Sequence, residues 1–289
     1  MSHGHSDHIG RHAAGVASPA TVALVAARLR STRLEPLAFG DEIERSGHRI
    51  WLAPAGHVLG AAQVVVDAPD GRRLVYTGDF SVRSRRTVQA ARPIRADVLI
   101  MECTFGLPRY VFPPDEEICE RVRVFVDRAL GDSVTPVLLG YALGKAQEAM
   151  ALVSALGYPV RVHPGVARLA DVYRQFDVDL GPYEIDDGET PSGCVLIAPP
   201  SALRTGLPRR RRTLYLSGWA LDRSTQYRLG VDEAVPLSDH ADFSELVQFV
   251  REAQPGHVYT THGPSAFADH LRGLGFAAQH LGNHQPSLF

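Results

Sequence analysis

Apolar and polar positions divide the chain into short segments of two kinds. Residues 49–53, 61–67 and 73–78 read as strands, the last two joined across Pro69-Asp70-Gly71-Arg72, a hairpin signal. Val98 to Met101 is another short apolar run, leading into Glu102. A helix is predicted over 17–30, opening on Ser18-Pro19. From about 114 the pattern alternates as helix 115–130, strand 135–140, helix 143–156, strand 158–163 and helix 166–176, which predicts a parallel α/β unit. A polar, Gly/Pro-rich stretch at 181–193 precedes strands near 194–198 and 213–217. The tail predicts a strand, helix 242–253, strand 256–260, helix 264–273 and a last strand. The whole reads as one α/β layer system interrupted by a second over about 107–220.

Composition narrows this little. The chain has 289 residues, 45% of them hydrophobic and 21% charged, enough for one large domain or two modest ones. No apolar run approaches the ~18–20 residues needed to span a bilayer, and no signal peptide precedes the first histidines. Cys103, Cys119 and Cys194 are scattered and odd in number, which argues against disulfides and predicts a reducing cytoplasm. Net charge is −2, so the protein as a whole is not a polycation. Lys145 is the only lysine among 30 basic residues. That bias fits a GC-rich genome, and only the arginine clusters at 83–86 and 209–212 carry information about phosphate contact.

The chemistry is concentrated at the start of the chain. His3-Gly-His5-Ser-Asp7-His8 places three imidazoles and a carboxylate within six positions, donors suited to zinc or manganese. Three later segments each put a His or Asp beside glycine just beyond an apolar strand: Pro54-Ala-Gly-His57, Thr77-Gly-Asp79 and Thr261-His262-Gly263. Together they supply seven candidate ligands, enough for two ions.

In this order the motifs resemble the metallo-β-lactamase fold. Glu102-Cys-Thr-Phe-Gly106, Ala142-Leu-Gly-Lys-Ala-Gln-Glu148 and Leu237-Ser-Asp-His240-Ala-Asp-Phe243 narrow the resemblance to its β-CASP nucleases. That group includes RNA-processing enzymes and DNA-repair nucleases, and small bacterial exonucleases associated with DNA ligase are the most similar in size. The resemblance implies an αββα sandwich with an inserted small α/β domain: core over 1–106, insertion over 107–220, core again over 221–289. It further implies that His3, His5 and His57 hold one divalent metal, that Asp7, His8 and His262 hold another, and that Asp79 bridges them. Zinc is the expected ion and manganese the alternative. Two such ions would clamp a phosphodiester and activate water. Asp7 then counts as a catalytic residue together with His240, the general acid for the leaving alkoxide, and Glu102, which orients it.

The expected function is hydrolysis of single-stranded DNA or RNA in a cleft beside the insertion, with DNA exonuclease action in repair first and RNA processing second. DNA-ligase or helicase partners are implied by resemblance alone. The rival readings are a thioesterase or lactonase on the same fold, and a truncated homologue that binds nucleic acid without cutting it. The second rival arises because only two residues precede His3, where the family has strands. A ligand loop there is expected to fray, to hold one ion weakly and to leave a sheet edge open, and the start codon is expected to be mis-assigned.

Other polar residues have blander readings. Asp239 and Asp242 are expected to cap the helix at 242–253 or orient ligands. Tyr110 and Phe112 are expected to pack, while Lys145 and Gln147 belong to a helix start that can pack or touch phosphate. His163, His257, His270, His280 and His284 are expected to be structural or on the surface.

Overall fold

A computed structural model of the protein describes residues 1–9, 15–29 and 33–282. His284 and Arg30 lie outside these residues. The chain divides into two compact units, one formed by Met1–Ser84, Val88–Val111 and His240–Phe289, the other by Arg85–Thr87 and Phe112–Asp239.

The first unit begins with a 3₁₀ turn at Ser6–His8 that carries part of the histidine cluster. It continues through β1 (Gly15–Ala17), α1 (Pro19–Arg28), β2 (Leu34–Pro36), β3 (Glu42–Arg45), β4 (His48–Pro54), β5 (Ala62–Asp67), β6 (Arg73–Tyr76) and β7 (Val98–Glu102). The second unit supplies α2 (Asp115–Gly131), β8 (Thr135–Leu139), α3 (Lys145–Ala155), β9 (Val160–Val162), α4 (Pro164–Gln175) and β10 (Tyr183–Ile185). It closes with β11 (Val195–Ala198), α5 (Ala202–Thr205), β12 (Arg211–Leu216), α6 (Ser224–Leu229) and β13 (Glu233–Val235). The chain then returns to the first unit with α7 (Phe243–Ala253), β14 (His257–Thr261), α8 (Ala266–Gly273) and β15 (Ala278–His280).

In the first unit the large sheet has the order β15-β14-β7-β6-β5-β4-β3 among the described residues. β3 to β6 form an antiparallel meander, whereas β6, β7, β14 and β15 run parallel. β4 is separated from β6 by two antiparallel steps and so runs in the same direction. The carboxyl ends of β4, β6, β7 and β14 therefore share one edge of the sheet, where sites of open α/β sheets collect. β1 and β2 form a separate parallel pair. Val16 of β1 packs on Leu52 and Ala62 of the large sheet with Leu37, and α1 packs on β2. α8 covers β14 and β15, which completes the αββα layering of the metallo-β-lactamase fold.

The second unit is built on a six-stranded sheet with every pair parallel, in the order β10-β9-β11-β8-β12-β13. Val137–Leu139 of β8 and β11 are runs of Val, Leu, Ile and Ala, as a sheet buried on both faces requires. Val137, Leu139, Leu196, Ala198 and Tyr215 form one buried cluster of its core.

The blander sequence readings have structural outcomes. Tyr110 and Phe112 are 7% and 4% exposed and pack as core residues. Gln147 Oε1 accepts from the Gly144 amide at 2.8 Å at the start of α3, and Lys145 is buried against Asp239, so both serve the second unit's interior. His163 caps α4 by accepting from the Gly165 amide. Asp242 caps α7.

Candidate metal centre and acid pair

Each predicted site residue except His240 and the N-terminal group sits at or just past the carboxyl end of a strand. His57 lies three residues beyond β4, Asp79 three beyond β6, Glu102 ends β7, and His262 directly follows β14. The loops bearing them are tied backbone to backbone. Ala55 accepts from the Ser81 amide at 2.9 Å, and Thr261, opposite Glu102 in register, accepts from the Cys103 amide at 2.9 Å.

Two glycines allow close approaches at the site. Gly78 has φ +57°, and a Cβ there would lie 2.5 Å from Ser2 Cβ. The residue before His3 can therefore lie against the strand end that leads to Asp79. A Cβ on Gly263 would meet the Cys103 carbonyl oxygen at 2.0 Å. His262 itself has φ +49°, a left-handed conformation uncommon for a side chain of its size and concentrated at functional sites.

The N-terminal histidine segment is tied to its neighbours by hydrogen bonds. The Met1 ammonium donates to the Val16 carbonyl at 2.7 Å, and Ser2 accepts from the Ala62 amide at 2.8 Å. Arg28, in the last turn of α1, donates to the Gly4 carbonyl. Ser2 Oγ faces His3 Nδ1 at 3.2 Å, which turns His3 Nε2 to the other side of the ring. The expected looseness of this segment is thus corrected: Ser2 is 4% exposed and His3 is fully buried.

Around this loop the structure brings the predicted donors together. His57 Nε2 is 3.0 Å from His5 Nδ1. Asp79 Oδ2 lies 3.6 Å from His3 Nε2, 3.5 Å from His8 Nε2 and 3.8 Å from His57 Nε2, while Asp79 Oδ1 lies 3.7 Å from His262 Nδ1. Donor atoms of His3, His5 and His57 form one group within 4.8 Å, and those of His3, His8 and Asp79 form another. Asp7 is the outlier, with a half-exposed side chain and a carboxylate 3.7 Å from His8 Nε2.

These residues fit a metal of the zinc type. His3 Nε2 and His8 Nε2 are buried with no hydrogen-bond partner among the described residues, a costly arrangement for a polar atom unless something else coordinates it. Adjacent donors on a tetrahedral ion with bonds of about 2.0–2.1 Å stand about 3.4 Å apart, the same scale as the separations seen here. Two of the imidazoles, His3 and His8, are held towards the neutral form that a metal requires. Burial pushes His3 well below the usual histidine range, with His57 and His8 adding to the effect. Burial likewise lowers His8 to about 4, against the opposing pull of Asp7.

Beside the cluster lies a second arrangement. His240 Nδ1 is 2.7 Å from Glu102 Oε1, and the His240 ring stands 4.6 Å from that of His57, centroid to centroid. Glu102 is 1% exposed, accepts from the Phe80 amide at 3.2 Å through Oε1 and from the Thr104 amide at 2.8 Å through Oε2. Burial alone would raise its pKa; the charge and hydrogen bond of His240, with the Thr104 contacts, bring it net below the usual glutamate value. An ionised Glu102 accepts a hydrogen bond from Nδ1–H, which fixes the tautomer and orientation of the His240 ring.

Ser2 and Arg28 are the supporting residues that motif reading missed. Ser2 adjoins the cluster and was open to notice; Arg28 carries no signal in its own segment.

Comparison with known proteins agrees with the geometry. The family model for the Zn-dependent metallo-hydrolase RNA specificity domain matches residues 230–281. The chain is 39% identical to a probable DNA ligase of Opitutus terrae over 98% of its own length and 28% of that protein's. It is 27% identical to cleavage and polyadenylation specificity factor subunit 3 of Dictyostelium discoideum, over 83% of this chain and 38% of the relative. Identity to the DNA cross-link repair protein SNM1 of Arabidopsis thaliana is 25%, over 90% of this chain and 60% of that one. The crystal structure of a protein of unknown function from Enterococcus faecalis V583 has the same fold, with a TM-score of 0.65 at 13% identity over 99% of this chain and 79% of its own. The fold and the donor cluster define a metallo-hydrolase of the metallo-β-lactamase type. With the motifs around Glu102 and His240, these relatives support a likeness to the β-CASP nucleases. The chain spans between 28% and 60% of the length of the three curated relatives.

Proposed function

We propose that this chain is a zinc-dependent hydrolase of phosphodiester bonds in single-stranded nucleic acid, with exonuclease action on DNA in repair as its first form. The observation that carries this reading is the Glu102–His240 pair beside the histidine cluster. Zinc, when bound, supplies Lewis-acid polarisation and lowers the pKa of water towards neutrality. His3, His5 and His57 would hold one ion, and Asp7, His8 and His262 a second, with Asp79 between them. Asp7 would also turn a carboxylate towards the incoming water.

The remaining work falls to the protein's own groups. A leaving alkoxide needs a proton, and in this reading His240 supplies it through Nε2 while Glu102 fixes the ring through Nδ1 at 2.7 Å. Ionised Glu102 also stabilises the imidazolium that precedes the transfer. A thioesterase or lactonase on this fold has no need of such a pair. Repair is supported by two relatives named as a DNA ligase and a DNA cross-link repair protein. RNA processing is the second reading, favoured by the family model named for RNA specificity.

The test is a substrate panel: end-labelled single-stranded DNA and RNA, nitrocefin and a thioester, each with zinc or manganese. Cleavage of an oligonucleotide with little turnover of the small substrates is expected. Thioester or lactam turnover with neither polymer cut would overturn the proposal.

A further inference from the structure

Arg83 lies four residues beyond Asp79 and reaches the start of α7, the helix that follows His240. Its Nε donates to Glu245 Oε1 at 2.6 Å and its Nη2 to Asp242 Oδ2 at 3.0 Å. Those two acids are already locked together. Asp242 Oδ1 accepts from the Glu245 amide at 3.0 Å, and Glu245 Oε2 accepts from the Asp242 amide at 2.9 Å, a reciprocal capping box. The box draws two carboxylates of like charge into one small space, and Asp242 is only 2% exposed. Their outward oxygens both face Arg83, whose planar fork can serve two acceptors at once where a lysine could not.

The same two segments are joined once more directly and once through Glu102. Phe80 accepts from the Ala241 amide at 2.8 Å, and the Phe80 amide donates to Glu102 Oε1, the oxygen that also faces His240 Nδ1. The segment carrying Asp79 is therefore connected on both sides of Ala241 to the segment carrying His240.

We propose that Arg83 is a positioning residue: by neutralising the Asp242–Glu245 capping box it fixes the start of α7, and through it the place of His240 relative to Asp79. This rests on the reading of His240 as the general acid. Arg83 acts on proton delivery and not on substrate binding or metal capture.

The experiment measures kcat and KM on a single-stranded DNA oligonucleotide and on bis(p-nitrophenyl) phosphate, with zinc content and melting temperature, for Arg83→Gln, Arg83→Lys and Arg83→Gln/Glu245→Gln. p-Nitrophenolate departs without a proton, so its release does not depend on where His240 sits. Arg83→Gln is expected to lower kcat on the oligonucleotide about tenfold, part of the ~10²–10⁴ a general acid supplies. KM, zinc per chain and the p-nitrophenyl rate should hold. Arg83→Lys should fall between. The double variant removes one of the two repelling charges while glutamine still closes the box, so it should recover most of the lost kcat.

A double variant no better than Arg83→Gln, with KM raised in both, would overturn the proposal in favour of direct substrate contact. Equal losses on both substrates would overturn it in favour of a purely structural role. If the wild-type chain cuts no oligonucleotide, the functional reading fails and the positioning role falls with it. The melting temperatures still decide whether Arg83 relieves the box.

Discussion

At the scale of residues, the site's electrostatics follow from burying imidazoles together. A folded histidine held below its ordinary pKa resists protonation, whereas the unfolded chain accepts the proton freely. Below pH about 6.5 the unfolded state therefore gains protons that the native state refuses, and native stability falls. For His8 the loss continues until pH about 4, where the native imidazole titrates as well. In EDTA, the urea midpoint should decline from pH 7.5 to pH 4, and His8→Gln should flatten that decline. A midpoint unchanged over this range would mean that the native cluster is not held neutral. The same residue scale shows what local sequence can reveal. His3, His5, Asp7 and His8 are legible because four donors fall within one turn of chain, and His57, Asp79 and His262 because each ends an apolar run beside glycine. Arg83 stood out only as part of an arginine cluster read for phosphate contact, because its acidic partners Asp242 and Glu245 are 159 and 162 positions away.

At the scale of elements, the strands found by pattern are those with a buried face, and those missed lie at edges. β5 and β7 read clearly as apolar runs. β3 is Glu-Ile-Glu-Arg on the outer edge of the large sheet, mostly exposed, so pairing and not burial makes it a strand. β10, at the edge of the second unit's sheet, hides within the polar stretch at 181–193 for the same reason. Helix starts were easier, since Ser18-Pro19 and Asp242 with Glu245 are capping signals. Element ends also hold the site in register. Gly263→Ala would drive a Cβ into the Cys103 carbonyl where β7 and β14 meet. A destabilisation of about 1–3 kcal/mol is expected by denaturant titration, with weaker zinc binding because His262 precedes it directly. Wild-type zinc affinity in that variant would show that the crossing does not set the ligand.

At the scale of the whole molecule, the two units differ in what they can report. All nine candidate site residues lie in the first unit. Zinc that binds only the folded ligand cluster should therefore protect that unit selectively. Hydrogen exchange with and without zinc is expected to slow amides in residues 1–9, 55–61 and 77–83, and to leave β8 and β11 unchanged; the reverse pattern would place the metal elsewhere. The second unit has its own buried charge pair, Lys145 with Asp239. Burial lowers the Lys145 pKa, with Asp239 acting in opposition. Lys145→Ala should cost about 3–5 kcal/mol in a urea titration, because it strands a carboxylate. No helix among the described residues is long and apolar enough to cross a membrane.

The central claim is that a metal cluster and the Glu102–His240 pair together cut phosphodiesters. The most direct measurement compares His240→Ala with wild type, at equal zinc content, on a single-stranded oligonucleotide and on bis(p-nitrophenyl) phosphate. The oligonucleotide rate should fall by about 10²–10⁴, the range for loss of a general acid, and the p-nitrophenyl rate should change far less. Equal rates for His240→Ala and wild type on the oligonucleotide would contradict the account.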